Sequence, residues 1–213
     1  MFFSFDGIDG VGKTTQMERF CDYLRQRGAE VVTCRDPGST PLGERIREIL
    51  LHSDAQTPIT RRSEMLLYMA ARAQLVDQVI RPALAANKTV VSDRFLLANL
   101  VYQGHAGGLD IEMIRRVGTA AVDGVMPDAV FLLDMAPEAA DERIRRTLDR
   151  MERQGDNYRL RLRDGFLAEA ARVGSRIHVI DADRPVAAVE ADIRRIADQL
   201  LAGPSQERQH GSR

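Results

Sequence analysis

The segment Gly7-Ile8-Asp9-Gly10-Val11-Gly12-Lys13-Thr14 constrains this chain more than any other. It matches G-x-x-x-x-G-K-[ST] in full. It follows the apolar run Phe2-Phe3-Ser4-Phe5 and precedes a helical stripe of Met17, Phe20, Cys21 and Leu24. Strand, glycine-rich turn and helix in that order wrap backbone around an anion: the glycines let several N–H groups point inward, and the helix N-terminus adds partial positive charge. Lys13 is placed to reach the β- and γ-phosphates of a nucleoside triphosphate, and the Thr14 hydroxyl to ligate Mg²⁺. Lys13 is expected at an exposed position of the loop.

Other short apolar runs recur at Val31–Cys34, Thr89–Ser92, Ala129–Leu133 and Ile177–Ile180. None alternates in and out, and longer segments of helical period separate them. Helices are expected around Ile46, Ile49 and Leu50, on the segment carrying Met65, Leu66, Tyr68 and Met69, over Leu96 to Gln103, over Asp110 to Asp123, from Pro137, and on Val186, Val189, Ile193, Ile196 and Leu200. Pro37 to Pro41 reads as loop, and Gly28 as a helix stop. Strands buried on both faces have this pattern, so the expected fold is α/β, a five-stranded parallel sheet with helices on both faces. Ligands of such sheets bind at the carboxyl ends of the strands. Here those ends are Asp6, Arg35, Asp93, Asp134 and Asp181.

With 213 residues, 44% hydrophobic and 29% charged, the chain suits one domain over residues 1–203 followed by a polar, frayed tail over 204–213. Thirty basic residues nearly cancel thirty-one acidic ones, so nothing global points to a nucleic-acid or membrane partner. No apolar stretch approaches the roughly 20 residues of a membrane helix, and MFFSFDGIDG lacks the basic leader of a signal peptide. Cys21 and Cys34 form no CxxC, which favours a reducing compartment, by default the cytoplasm.

A phosphate loop serves switches as well as enzymes. A guanine-nucleotide switch would carry N-K-x-D and a separate D-x-x-G. Asn87-Lys88 continues as Thr89-Val90, and the only D-x-x-G is Asp9 to Gly12, inside the loop itself. A small-molecule kinase instead needs a second anion site facing the γ-phosphate. Arg35 and Arg94 at strand ends can hold a phosphate bidentately. Tyr68 and Arg72 lie four apart on one helix face, where they can stack a base and read a carbonyl. Singly, Tyr68 is more often a core residue and Arg72 more often a solvated one.

Together, G-I-D-G-V-G-K-T-T, R-D-P-G-S-T, L-L-Y-M-A-A-R-A-Q, V-V-S-D-R-F and A-N-L-V-Y-Q-G, in this order from about Phe3 to Leu200, resemble thymidylate kinase of the bacterial type. The resemblance implies a phosphate-loop kinase of the nucleoside monophosphate kinase type that makes dTDP from ATP and dTMP with Mg²⁺. It implies ATP binding by Gly7, Ile8, Asp9, Gly10, Val11, Gly12, Lys13 and Thr14. Asp9 would lie near the acceptor 3′-hydroxyl, Arg35 and Arg94 near its phosphate, and Tyr68 against thymine. Arg72 would bond the base carbonyl, Asn99 would read the base edge, and Tyr102 would sit under the deoxyribose. Pro37 and Gln103 join the acceptor site, and Asp93 joins Thr14 on the metal side. The chain departs from the family in Asp93-Arg94-Phe95 where D-R-Y is usual, in R-D-P-G-S-T for R-E-P-G-G-T, and in Ala98 for a frequent serine. The resemblance further implies a homodimer, with the helices around Leu66 and Ile114 as interface candidates.

The phosphate loop offers no arginine among Ile8, Asp9, Gly10 and Val11, so another cation must meet the transferred group. Arg143, Arg146, Arg150 and Arg153 fall within roughly an 80° arc of a helix, and Gly155-Asp156-Asn157 is expected to break that run. A solvated face is the plain alternative, since Glu142, Asp149 and Glu152 adjoin it. The resemblance places a lid at about residues 141–157 and favours Arg150, then Arg146, as the catalytic arginine. It sets the adenine against Asp181-Ala182-Asp183-Arg184-Pro185, mostly through backbone. The competing readings are a kinase for another small nucleotide or a deoxynucleoside, and a nucleotide-dependent binding protein without turnover.

Overall fold

In the computed structural model, which describes residues 1–53, 58–144 and 156–202, five parallel strands stand in the order β2-β3-β1-β4-β5. They are β1 (Phe2–Asp6), β2 (Val31–Arg35), β3 (Thr89–Asp93), β4 (Ala129–Asp134) and β5 (Ile177–Asp181). Their registers align the carboxyl ends. Arg35 pairs with Asp93, Phe5 with Asp93, Asp6 with Leu132, and Asp134 with Asp181. The five positions marked in the sequence thus share one edge of the sheet.

Both faces are covered. Phe2 and Phe3 are adjacent in β1 and point to opposite sides. Phe3, Phe5 and Phe131 join Phe20 of α1 (Lys13–Gln26), Phe166 of α8 (Asp156–Val173) and Ile193 of α9 (Val186–Ala202) in one core cluster. Phe2 and Val90 join Met65 and Met69 of α3 (Arg61–Leu75) and Ile114 of α6 (Ile111–Val122) in another. Ile114 is fully buried there. Its side chain packs in the core, whereas Leu66 on α3 stands half-exposed. Cys21 and Cys34 are buried free thiols; burial pushes them up to about 11 and about 12, which keeps them protonated and inert.

Several elements differ in detail from the sequence reading. α2 (Pro41–His52) takes Pro41 into its first turn, because Thr40 accepts from the Gly43 N–H at 2.9 Å and caps the helix. α3 continues through a π-helical segment, Val76–Ile80, into α4 (Arg81–Ala85). The helix expected over Leu96 to Gln103 is α5 (Leu96–Asn99) running into a second π-helical segment, Leu100–His105. α7 spans Pro137–Arg143. α8 carries no mark in the sequence, and Asp156 and Asn157, expected to break a helix, begin it. Its inner face holds Tyr158, Leu162 and Phe166 but also buried Arg159 and Glu169, and charged residues on the buried side blur the apolar period. Arg146, Arg150 and Arg153, with residues 204–213, lie outside the described residues.

At the carboxyl end of β1, Asp6 is wholly buried. Desolvation lifts its carboxyl from 3.8 to about 7, against the opposing pull of Arg94 and Lys13. A raised folded-state value means that the folded chain binds the extra proton between those two pH values, so this group's contribution to stability falls as pH climbs from about 4 to 7. Asp6→Asn cannot titrate. Its melting temperature relative to the parent should therefore rise across that window in ligand-free melts, and a difference that stays flat with pH would refute the assignment.

Candidate active site

The phosphate loop joins β1 to α1 under tight steric control. Gly7 and Gly10 hold φ of +135° and +93°, where L side chains are strained. A Cβ would come within 2.4 Å of the Leu133 carbonyl oxygen at Gly7 and within 2.2 Å of the Ala140 carbonyl oxygen at Gly10. The loop is therefore pressed against the end of β4 and against α7, and only glycine fits at either place.

Lys13 opens α1 but does not stand exposed. It is 8% accessible, and its Nζ donates to the Gly7 and Ile8 carbonyls at 3.0 and 2.8 Å and to Asp9 Oδ1 at 3.4 Å. Burial and the nearby Arg94 charge lower its pKa. The expectation of an exposed lysine is corrected on this geometry: the ammonium ties together the loop that bears it. Thr14, the next residue, is exposed.

Beside the loop runs a cleft of about 930 Å³. The strand ends and loop contribute Asp9, Gly10, Val11, Gly12, Lys13, Thr14, Asp93 and Arg94 to its wall. At one end Arg35, Pro37, Tyr68, Arg72, Asn99, Tyr102 and Gln103 line it, and at the other Ala182, Arg184 and Pro185. Gly7 and Ile8, the first two residues of the loop, are buried and do not line the cleft. One space thus adjoins the phosphate loop, every acceptor-side residue picked out in the sequence, and the loop after β5.

Arg94 sits at the junction. It follows β3 with φ of +67°, an uncommon conformation for a residue with a side chain. The turn is held by Arg94 N–H donating to the Phe5 carbonyl at 2.9 Å and Ser92 Oγ donating to the Arg94 carbonyl at 2.7 Å. Its guanidinium donates to Asp9 Oδ1 at 2.7 Å and the Gly7 carbonyl at 3.1 Å, and lies 5.0 Å from the Tyr102 ring centre. Tyr102 Oη donates to Asp9 Oδ2 at 3.3 Å. Burial raises the Tyr102 hydroxyl well above its ordinary value.

The acceptor side is held by pairs the sequence does not reveal. Buried Arg72 donates to Asp36 Oδ2 at 2.5 Å and lies 5.3 Å from the Phe95 ring centre. Arg35 donates to both carboxylate oxygens of Glu44, at 2.6 and 3.3 Å. Tyr68 lines the wall from α3, half-buried. Asn99 and Gln103, one helical turn apart, bond each other.

Sequence reasoning missed three arginines. Arg47 lines the cleft from α2 and donates to the Pro37 carbonyl at 3.0 Å; burial and the like charge of Arg35 lower its pKa. On α8, Arg159 donates to the Asp9 carbonyl at 2.9 Å and meets Asp141 at 3.0 Å. Arg163 grips the Asp134 carboxylate at 2.7 and 2.8 Å. The spacing of Arg159 and Arg163, four apart beside Tyr158 and Leu162, was the available signal. Arg143 ends α7 and donates to the Ala182 carbonyl at 3.2 Å and Asp183 at 3.3 Å, on the side of the cleft away from the acceptor residues.

The metal side can be tested against the donor set. Thr14 offers an exposed hydroxyl. Asp93 Oδ1 is buried and has no hydrogen-bond partner among the described residues. Oxygen donors of this kind suit a hard cation that shares its remaining ligands with phosphate and water.

A family model described as Thymidylate kinase matches residues 5–193. A thymidylate kinase of Pelotomaculum thermopropionicum is 45% identical over 203 residues, 94% of this chain and 94% of its own length. One of Rhodopirellula baltica is 44% identical over 191 residues, 90% of this chain and 77% of its own length. The crystal structure of thymidylate kinase from Ehrlichia chaffeensis superposes with a TM-score of 0.78 at 30% identity, covering 92% of this chain and 98% of that one. With the family model spanning residues 5–193 and relatives this similar over most of the chain, on a phosphate loop and a five-stranded parallel sheet, the chain belongs to the thymidylate kinase family.

Proposed function

We propose that the chain phosphorylates dTMP to dTDP with ATP, and that the cleft beside the phosphate loop holds both substrates. The single observation behind this arrangement is the continuity of that cleft from the loop after β5, past Lys13, to Tyr68, Arg72 and Asn99. ATP would lie with its adenine near Ala182 and Pro185 and its phosphates on the loop. dTMP would lie with its base between Tyr68, Arg72 and Asn99, its sugar beside Tyr102 and Asp9, and its phosphate toward Arg35, Arg47 and Arg94.

In this reading an oxygen of the dTMP phosphate attacks the γ-phosphorus of ATP, the bond to the β–γ bridging oxygen breaks, and ADP leaves. The attacking oxygen is already anionic at neutral pH, so no general base is required. The chain's task is positioning and charge neutralisation. Arg94, anchored on Asp9, spans the junction between donor and acceptor. Thr14 and Asp93 would hold Mg²⁺, which when bound offsets negative charge on the β- and γ-phosphates. Arg150, then Arg146, is the lid arginine we assign to the transferred group; such a residue is worth about 10³ to 10⁵ in rate. A homodimer and a cytoplasmic location belong to the same reading. The first is supported by half-exposed Ile49 and Leu66 on neighbouring helices, the second by two free, buried thiols. Among the described residues no helix is long and apolar enough to cross a membrane.

A coupled ADP-release assay across nucleoside monophosphates and deoxynucleosides tests the reaction. ADP should appear with dTMP and vanish in Lys13→Ala, whose fold must be checked by thermal melting because the Ile8 carbonyl loses its Lys13 donor and the Gly7 carbonyl one of two. Release with a different acceptor and not dTMP would shift the assignment within the kinases, and nucleotide binding without acceptor-dependent turnover would end it.

For the lid, Arg150→Ala should lower kcat at least about a hundredfold with little change in the KM for dTMP, as expected when an interaction forms only in the transition state. Arg145, on the opposite face of the helix read from the sequence, is the control, and Arg145→Ala should be nearly silent. Small, equal effects at both positions would return the arginines to a solvated face.

A further inference from the structure

Three buried polar side chains run in line behind the acceptor end of the cleft. Glu64, in the first turn of α3, is 6% exposed, and Asn99 and Gln103 are each 2% exposed. Gln103 Nε2 donates to Glu64 Oε1 at 2.9 Å. Asn99 Nδ2 donates to Gln103 Oε1 at 2.7 Å. Asn99 Oδ1 is then left buried, with no partner among the described residues, on a side chain that lines the cleft.

The polarity of this line has one source. A carboxylate only accepts hydrogen bonds, so the end of Gln103 that meets Glu64 is its NH₂. Gln103 therefore turns its oxygen to Asn99, and Asn99 answers with its own NH₂. The atom left to face a ligand is an oxygen. Without Glu64, two amides bonded only to each other are free to reverse and to present an NH₂ instead. In a buried line the choice at one end is transmitted to the other, because reversing a single amide would set two acceptors or two donors face to face.

We infer that Glu64 is a positioning residue that sets base choice through Gln103 and Asn99. The inference rests on the acceptor reading above, in which Asn99 meets the base. An Oδ1 acceptor there takes a pyrimidine whose ring nitrogen carries a hydrogen, as N3 does in the 2,4-dioxo bases thymine and uracil. It rejects a 4-aminopyrimidine, whose N3 is itself an acceptor. Discrimination is strong where the wrong ligand leaves a buried polar group unpaired. The relay does not separate thymine from uracil, since both carry the N3 hydrogen.

The test compares dTMP with dCMP in the full-length enzyme at saturating ATP. Glu64→Gln replaces an acceptor-only group with one that also donates, so the relay is free to reverse. The ratio of kcat/KM for dTMP over dCMP should fall at least tenfold, mostly through a higher KM for dTMP, with the KM for ATP and the melting temperature close to the parent's. A merely structural role would lower both acceptors' activity together and leave the ratio alone. A ratio within twofold of the parent's in a folded Glu64→Gln enzyme overturns the inference. Should that variant fail to fold, Gln103→Leu cuts the same relay and is read by the same ratio. A parent enzyme that does not prefer dTMP over dCMP would instead overturn the acceptor reading, whatever the Glu64 variant does.

Discussion

The Asp9 carboxylate is the point on which the site depends. It accepts from Arg94 and from Tyr102 and faces the Lys13 ammonium, while the carbonyl of the same residue accepts from Arg159. One residue of the phosphate loop thereby joins the third strand, the π-helical segment after α5, the start of α1 and the start of α8. The cations around it are 18% exposed or less. Removing a charge from water is unfavourable unless a counter-charge and hydrogen bonds meet it, and Asp9 supplies both to several groups at once. The phosphate loop and the cleft wall bearing Arg94 and Tyr102 are therefore assembled around a shared anion.

The same logic governs the rest of the cleft. A chain of net charge −1 concentrates Lys13, Arg35, Arg47, Arg72 and Arg94 around a single space. Each is held by a carboxylate or a carbonyl: Arg72 by Asp36, Arg35 by Glu44, Arg47 by Pro37. Anchoring of this kind orients donors before substrate arrives, which is what phosphoryl transfer asks of a protein. The overall charge conceals it because acids such as Asp9, Asp36 and Glu44 compensate these cations pair by pair.

α8 ties this frame to the rest of the sheet edge. Arg159 binds the phosphate loop and Arg163 binds Asp134 at the end of β4. Farther along the helix, buried Glu169 gathers Arg115, His105 and Arg172. The helix that follows the segment carrying Arg146 and Arg150 is thus tied to the sheet edge at one end and to α6 at the other.

The local sequence determined what depends on neighbours along the chain. The phosphate loop was legible because a glycine pattern between an apolar strand and an amphipathic helix has one steric solution. The parallel sheet was legible because strands buried on both faces are continuously apolar. Tyr68, Arg72, Asn99 and Tyr102 were marked through family motifs, and the structure brings them to one cleft. What the tertiary structure decided are the partnerships between distant segments. Asp36 meets Arg72 across 36 positions, Glu64 meets Gln103 across 39, and Arg159 meets Asp9 across 150. No periodicity encodes such pairs, because a charged residue has the same composition signal whether it faces water or a buried partner. For the same reason Lys13 read as exposed, α8 was overlooked where Arg159 and Glu169 interrupt its apolar face, and the direction of the Asn99 and Gln103 amides became visible only with Glu64 packed against them.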